Sequence, residues 1–151
     1  MIVRYQTASD AYTTYRLHEP DGEPRCTELC TLTDGYTYVA VPDGVTLPTD
    51  QPAEIADSIE TVTLTAELRA LIKAASPHAQ LIAQRVIDRI RERYSVDDEL
   101  FFARIMIGSQ AGLYTLEPGE MAEVEAFKDW VEAAREWGRQ QRAALGLQEA
   151  T

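Results

Sequence analysis

Chemistry at a protein site needs groups that coordinate, ionise or attack, and in this 151-residue chain such groups are few and scattered. The soft and imidazole ligands are Cys26, Cys30, His18 and His78. A zinc site would need these to converge. Cys26 and Cys30 do not have the two-residue spacing of a zinc knuckle, and along an extended strand their sulfurs point the same way roughly 13 Å apart. That span also exceeds the reach of a disulfide. Two free thiols without metal, buried on one sheet face, are the expectation.

Asp97, Asp98 and Glu99 could hold a hard cation, but no Asp-x-Asp-x-Asp-Gly loop surrounds them. They follow Ser95, and Ser95-Val-Asp-Asp98 fits a capping box in which hydroxyl and carboxylate each satisfy an exposed backbone N–H. Nucleophilic catalysis has no Gly-x-Ser-x-Gly elbow, and neither cysteine has a histidine with an orienting acid beside it. His18 follows Leu17 in a predicted strand and His78 opens a predicted helix, positions typical of surface and capping histidines. The glycines stand singly, so neither a phosphate loop nor a dinucleotide fingerprint is present. No catalytic, cofactor-binding or metal-ligating residue is assigned. The expected role is interaction, not catalysis.

Contact residues are easier to nominate. Arg85, Arg89, Arg91 and Arg93 form the one basic cluster. Ion pairing among Arg85, Asp88 and Arg91, three apart on a helix, accounts for much of it. A docking patch for an acidic partner, such as another copy's acidic first half, is the functional alternative. Trp130 and Trp137 lie seven apart on one helical stripe. They either pack on neighbouring elements of their own chain or anchor a partner. Trp130, Trp137, Arg85 and Arg89 are therefore the candidate partner-binding residues.

The elements that must position these residues change character along the chain. Asp21-Gly22, Asp34-Gly35 and Asp43-Gly44 supply the positive φ angles of tight turns. Around the middle pair, Cys26–Thr33 and Tyr36–Val41 are rich in Thr, Tyr and Val. With Ile2–Gln6 and Ala11–His18 they predict four or five short antiparallel strands in a meander over residues 1–48. Pro42, Pro48 and Pro52 mark a loop across residues 42–56, and a Pro-containing linker is expected over 49–64.

From Thr65 the apolar period lengthens from two to about 3.6, predicting a helical module of three or four helices over 65–147 and a tail at 148–151. Leu68, Leu71, Ile72 and Ala75 line the first helix, and Ser76-Pro77 restarts the chain as N-cap and first helical residue. The next helix buries Ile82, Val86 and Ile90. The third carries Leu100, Phe101, Ile105 and Met106, ending near Gly108 or Gly112. The last opens at Pro118 and runs to about Leu145, with a seam of Val124, Phe127, Val131 and Ala134. The fold class is α+β with segregated elements.

The net charge of −11 is concentrated in residues 1–64, whose 11 acids and 3 bases leave −8, against 14 acids and 11 bases beyond. A field of that sign repels phosphate backbones and anionic membranes, so neither nucleic acid nor a membrane is an expected partner. No apolar run reaches the length of a bilayer span, and the first residues lack a signal-peptide pattern. A cytoplasmic location is expected.

Arg91-Glu-Arg-Tyr-Ser-Val-Asp-Asp-Glu99, then Phe127-Lys-Asp-Trp-Val-Glu-Ala-Ala-Arg-Glu-Trp-Gly138 and Ala144-Leu-Gly-Leu147, resemble the carboxy-terminal regions of small phage and prophage tail proteins of the tail-fibre assembly type. Val41-Pro-Asp-Gly-Val-Thr-Leu-Pro48 is similar to the Pro-rich stretch that follows their strands. The resemblance covers about a third of the chain and rests on helix-forming residues. It implies a role in assembling or decorating a tail, by contact with a tail or fibre component, with other copies of the chain, or both. The setting would be the host cytoplasm or the virion, and the resemblance implies no cofactor and no catalysis. An acidic inhibitor that mimics nucleic acid is the alternative raised by the −8 balance of the first half. An enzyme whose site forms only in three dimensions is the other.

Overall fold

A computed structural model describes residues 1–22 and 24–148. Of the tail expected at 148–151, all but Gln148 lies outside the described residues. The elements are β1 (Ile2–Gln6), β2 (Thr27–Thr31), β3 (Tyr36–Ala40), α1 (Ala53–Ala56), β4 (Glu60–Val62), α2 (Ala66–Ala75), α3 (Pro77–Arg91), α4 (Val96–Gln110) and α5 (Pro118–Ala144). An antiparallel sheet followed by helices is α+β, as the change of apolar period predicts. The chain forms two compact units, residues 1–82 with 140–151, and residues 83–139.

The first unit is built on a sheet of order β2-β3-β1-β4. The β2–β3 hairpin turns at Gly35, whose φ of +82° is why glycine follows Asp34 there. β1 lies between β3 and β4 instead of beside β2, so the connection is not a strict meander. Alternation along β3 works on both faces. Tyr38 and Ala40 join Ile2, Leu29, Ile72 and Leu147 in one apolar cluster. Val39 and Val41 join Val3, Tyr5, Leu17 and Ile55 in the other.

Three expectations for this unit need correction. The stretch 11–18 is not a strand. Asp10 Oδ1 accepts from the backbone N–H of Tyr12 and Thr13, both at 2.7 Å, and this side-chain turn leaves only an isolated Ser9–Thr14 bridge. The 49–64 linker contains α1, which buries Ile55, and β4, which pairs with β1 from Ile2–Val62 to Arg4–Glu60. A three-residue strand is too short to show a period. Finally, Cys26 and Cys30 are both buried and free, but they belong to opposite clusters. The register shifts between Glu28 and Cys30, so Leu29 and Cys30 serve the same face and the even spacing no longer holds.

Helix boundaries follow local chemistry closely. The Thr65 hydroxyl caps α2 by accepting from the Leu68 N–H. Ser76, fully buried, accepts from the Ala79 N–H ahead of Pro77. After α5, Gly146 adopts a φ of +67° and the Leu147 N–H reaches the Arg142 carbonyl at 2.9 Å. That turn seats Leu147 beside Ile2 and Ile72 in the core of the first unit.

Candidate interaction surface

In the second unit, Tyr94, Phe102 and Phe127 form an aromatic centre. Tyr94 meets Phe127 edge-on at 5.1 Å, and Phe102 stacks on Phe127 at 5.0 Å. On the α5 seam Ala134 is buried, and Val124, Phe127 and Val131 are half-buried.

All four nominated contact residues lie here, and three of them share one place. The Trp130 indole N–H donates to the Arg89 carbonyl at 2.9 Å. The Arg89 guanidinium covers the Trp137 ring at 4.1 Å, and that of Arg93 lies 5.5 Å from Trp130. Both tryptophans are half-buried against α3 of their own chain. Arg85, one turn before Arg89 on α3, is exposed. The expected Arg85–Asp88–Arg91 pairing is not formed. Asp88 accepts from the Gln84 amide at 2.8 Å, and Arg91 reaches Glu99 at 2.8 Å across the α3–α4 turn. Helical spacing permits the first pairing, but the cross-turn carboxylate competes for Arg91.

α4 begins with the expected capping box. The Asp98 N–H donates to Ser95 Oγ at 3.1 Å, and the Ser95 N–H donates to the Asp98 carboxylate at 2.7 Å. The Ser95 hydroxyl also donates to that carboxylate, and together these bonds hold the Asp98 carboxyl below the ordinary range. Asp98 also lines an open cleft of about 470 Å³ with Arg93, Tyr94 and Phe102. Elsewhere, burial raises both cysteine thiols, a direction opposite to that of a reactive thiolate. The His18 imidazole donates from Nδ1 to the Asp50 carbonyl at 2.7 Å, which fixes a loop. Among the described residues no three His, Cys, Asp or Glu side chains are grouped to hold a metal ion. No helix among them is long and apolar enough to cross a membrane.

The surface that sequence reasoning missed is the outer face of α4. Phe102 and Ile105 are its buried residues. At 3.6 residues per turn, Val96, Leu100, Ala103 and Ile107 fall on the opposite side. Val96, Leu100 and Ile107 are 53%, 49% and 65% exposed, and Ala103 is exposed as well. α4 is therefore apolar on two opposite faces, one buried and one exposed. The signal was present as the 4-3-4 spacing of residues 96, 100, 103 and 107, but the sequence pattern groups Leu100 with Phe101, Ile105 and Met106, and the structure corrects this: Phe102 and Ile105 are buried, Leu100 and Phe101 exposed.

No family model matches this chain, and comparisons with curated proteins and with solved structures find no significant match.

Proposed function

We propose that this chain is a non-catalytic assembly protein of a phage or prophage tail or tail fibre, acting by protein–protein contact. The observation that carries the reading is the uncovered apolar face of α4. Isolated exposed apolar residues are ordinary, but a row of them along one helix is a contact surface. The resemblance of Arg91–Glu99 and Phe127–Gly138 to tail-fibre assembly proteins supplies the setting. Arg85, exposed on α3, is available as a charged contact for the same kind of partner.

Nucleic-acid mimicry is less well supported. Several acids of the first unit fasten local structure: Asp10 holds a turn, Asp34 accepts from the Tyr36 N–H and the Tyr38 hydroxyl, and Glu60 pairs with Arg4. Mimicry needs acids displayed in a phosphate-like row.

Co-expression with the tail and fibre proteins of its genetic neighbourhood tests the assembly reading. The wild-type chain should bind one of them or raise the yield of folded fibre, and the Leu100→Asp variant should do neither while keeping its circular dichroism. Equal performance by that variant would refute the role of α4. Absence of tail genes from the neighbourhood, or displacement of DNA from a host protein, would refute the assembly reading as a whole.

A further inference from the structure

The outer row of α4 has a symmetry that selects an occupant. Its spacing of four, three and four reads the same in both directions. A two-fold axis midway between residues 101 and 102 sets Val96 against Ile107 of a second copy, and Leu100 against the second copy's Ala103. Each large side chain at the centre then meets a small one, which lets two helices approach closely.

The flanking charges obey the same symmetry. Asp97 and Arg104 lie seven residues apart on one edge of the row, the positions that meet each other across an antiparallel helix pair. Both are exposed, and neither has a hydrogen-bond or ion-pair partner in its own chain among the described residues. Glu99, which would pair with Arg104 in a parallel arrangement, is already held by Arg91. We infer that α4 pairs antiparallel with α4 of a second copy, Asp97 of each meeting Arg104 of the other. The inference rests on the reading of this face as a contact surface and names its partner.

The net charge of −11 opposes association of like chains. At physiological ionic strength, however, charges beyond about 8 Å are largely screened, so the local opposite pairs decide the register. A contact made by one helix row is small, which places the dimer in the micromolar range and not the nanomolar. It is isologous and closes on itself, so it stops at two.

Sedimentation equilibrium of the full chain, from low micromolar to millimolar, should show a monomer–dimer equilibrium. Leu100→Asp should weaken the dimer by about a hundredfold or more with unchanged circular dichroism. Asp97→Arg and Arg104→Asp should each weaken it by about tenfold, and the double variant Asp97→Arg/Arg104→Asp should restore it. In a parallel pair Asp97→Arg would be silent and the double variant would stay weak, which would overturn the arrangement. A wild-type chain that is monomeric throughout, or a dimer indifferent to Leu100→Asp, would overturn the inference entirely. The assembly reading fails separately. A monomer that still binds a tail component through α4 sinks only the dimer, and a dimer of this form that binds no tail component sinks only the assembly role.

Discussion

Trp137 decides whether the tryptophan stripe is packing or docking. The Trp137→Ala substitution removes the ring beneath the Arg89 guanidinium, which sits 4.1 Å from its centroid. Truncating a fully buried aromatic residue costs about 3–5 kcal/mol. Trp137 is only half-buried, so about 2 kcal/mol of stability should be lost, of which the cation–π contact accounts for about 0.5–1 kcal/mol. In a chain of this size that lowers the melting temperature by about 4–8 °C. Both tryptophans lie within residues 83–139, so the remaining Trp130 fluorescence follows the melting of that unit alone. Arg89→Ala keeps the backbone carbonyl that accepts from Trp130. A double-mutant cycle of the two substitutions should therefore isolate the cation–π contact, with a coupling of about 0.5–1 kcal/mol. An unshifted melt with a lost partner or lost self-association would refute the packing assignment and return Trp137 to the contact surface.

Three further substitutions probe what holds each unit together internally. Ser95→Ala should cost about 1 kcal/mol in urea unfolding by removing the hydroxyl of the α4 capping box, and no loss would mean water caps the helix equally well. The Asp98 half of that box is pH-dependent: its folded pKa is depressed, so its contribution is full above the unfolded value and disappears as pH falls through the folded one. The stability difference between wild type and Asp98→Asn, measured by urea titration, should shrink to nothing in strong acid, and a constant difference would refute the linkage. Leu147→Ala, at a fully buried side chain in the sheet cluster, should cost about 2–5 kcal/mol. A cost below 1 kcal/mol would show that the chain end contributes nothing to that core.

What the sequence could disclose depended on whether a signal was local. Asp34-Gly35, Thr65, Ser76-Pro77, Ser95 and Pro118 each act within a turn of where they stand, and the structure places turns, caps and helix starts there. The position of β1 between β3 and β4 is a long-range fact, with Ile2 pairing Ala40 and Val62, and no local pattern records it. The cysteines failed for the same reason. Their four-residue separation implies one face only if every intervening residue is paired, and the bulge at Leu29 is set by the neighbouring strand.

The contact residues show a different limit. Trp130, Trp137 and Arg89 stand out in the sequence as aromatic or basic, the types that dominate interfaces. Those types also make the best internal contacts, and here Arg89 and Arg93 meet the tryptophans within their own chain. Residue type therefore cannot separate packing from docking. What separates them is whether the partner is already present. Val96, Leu100 and Ile107 are undistinguished aliphatic residues, and each could have been core. They form an exposed apolar row because Phe102 and Ile105, on the other side of α4, are its buried residues.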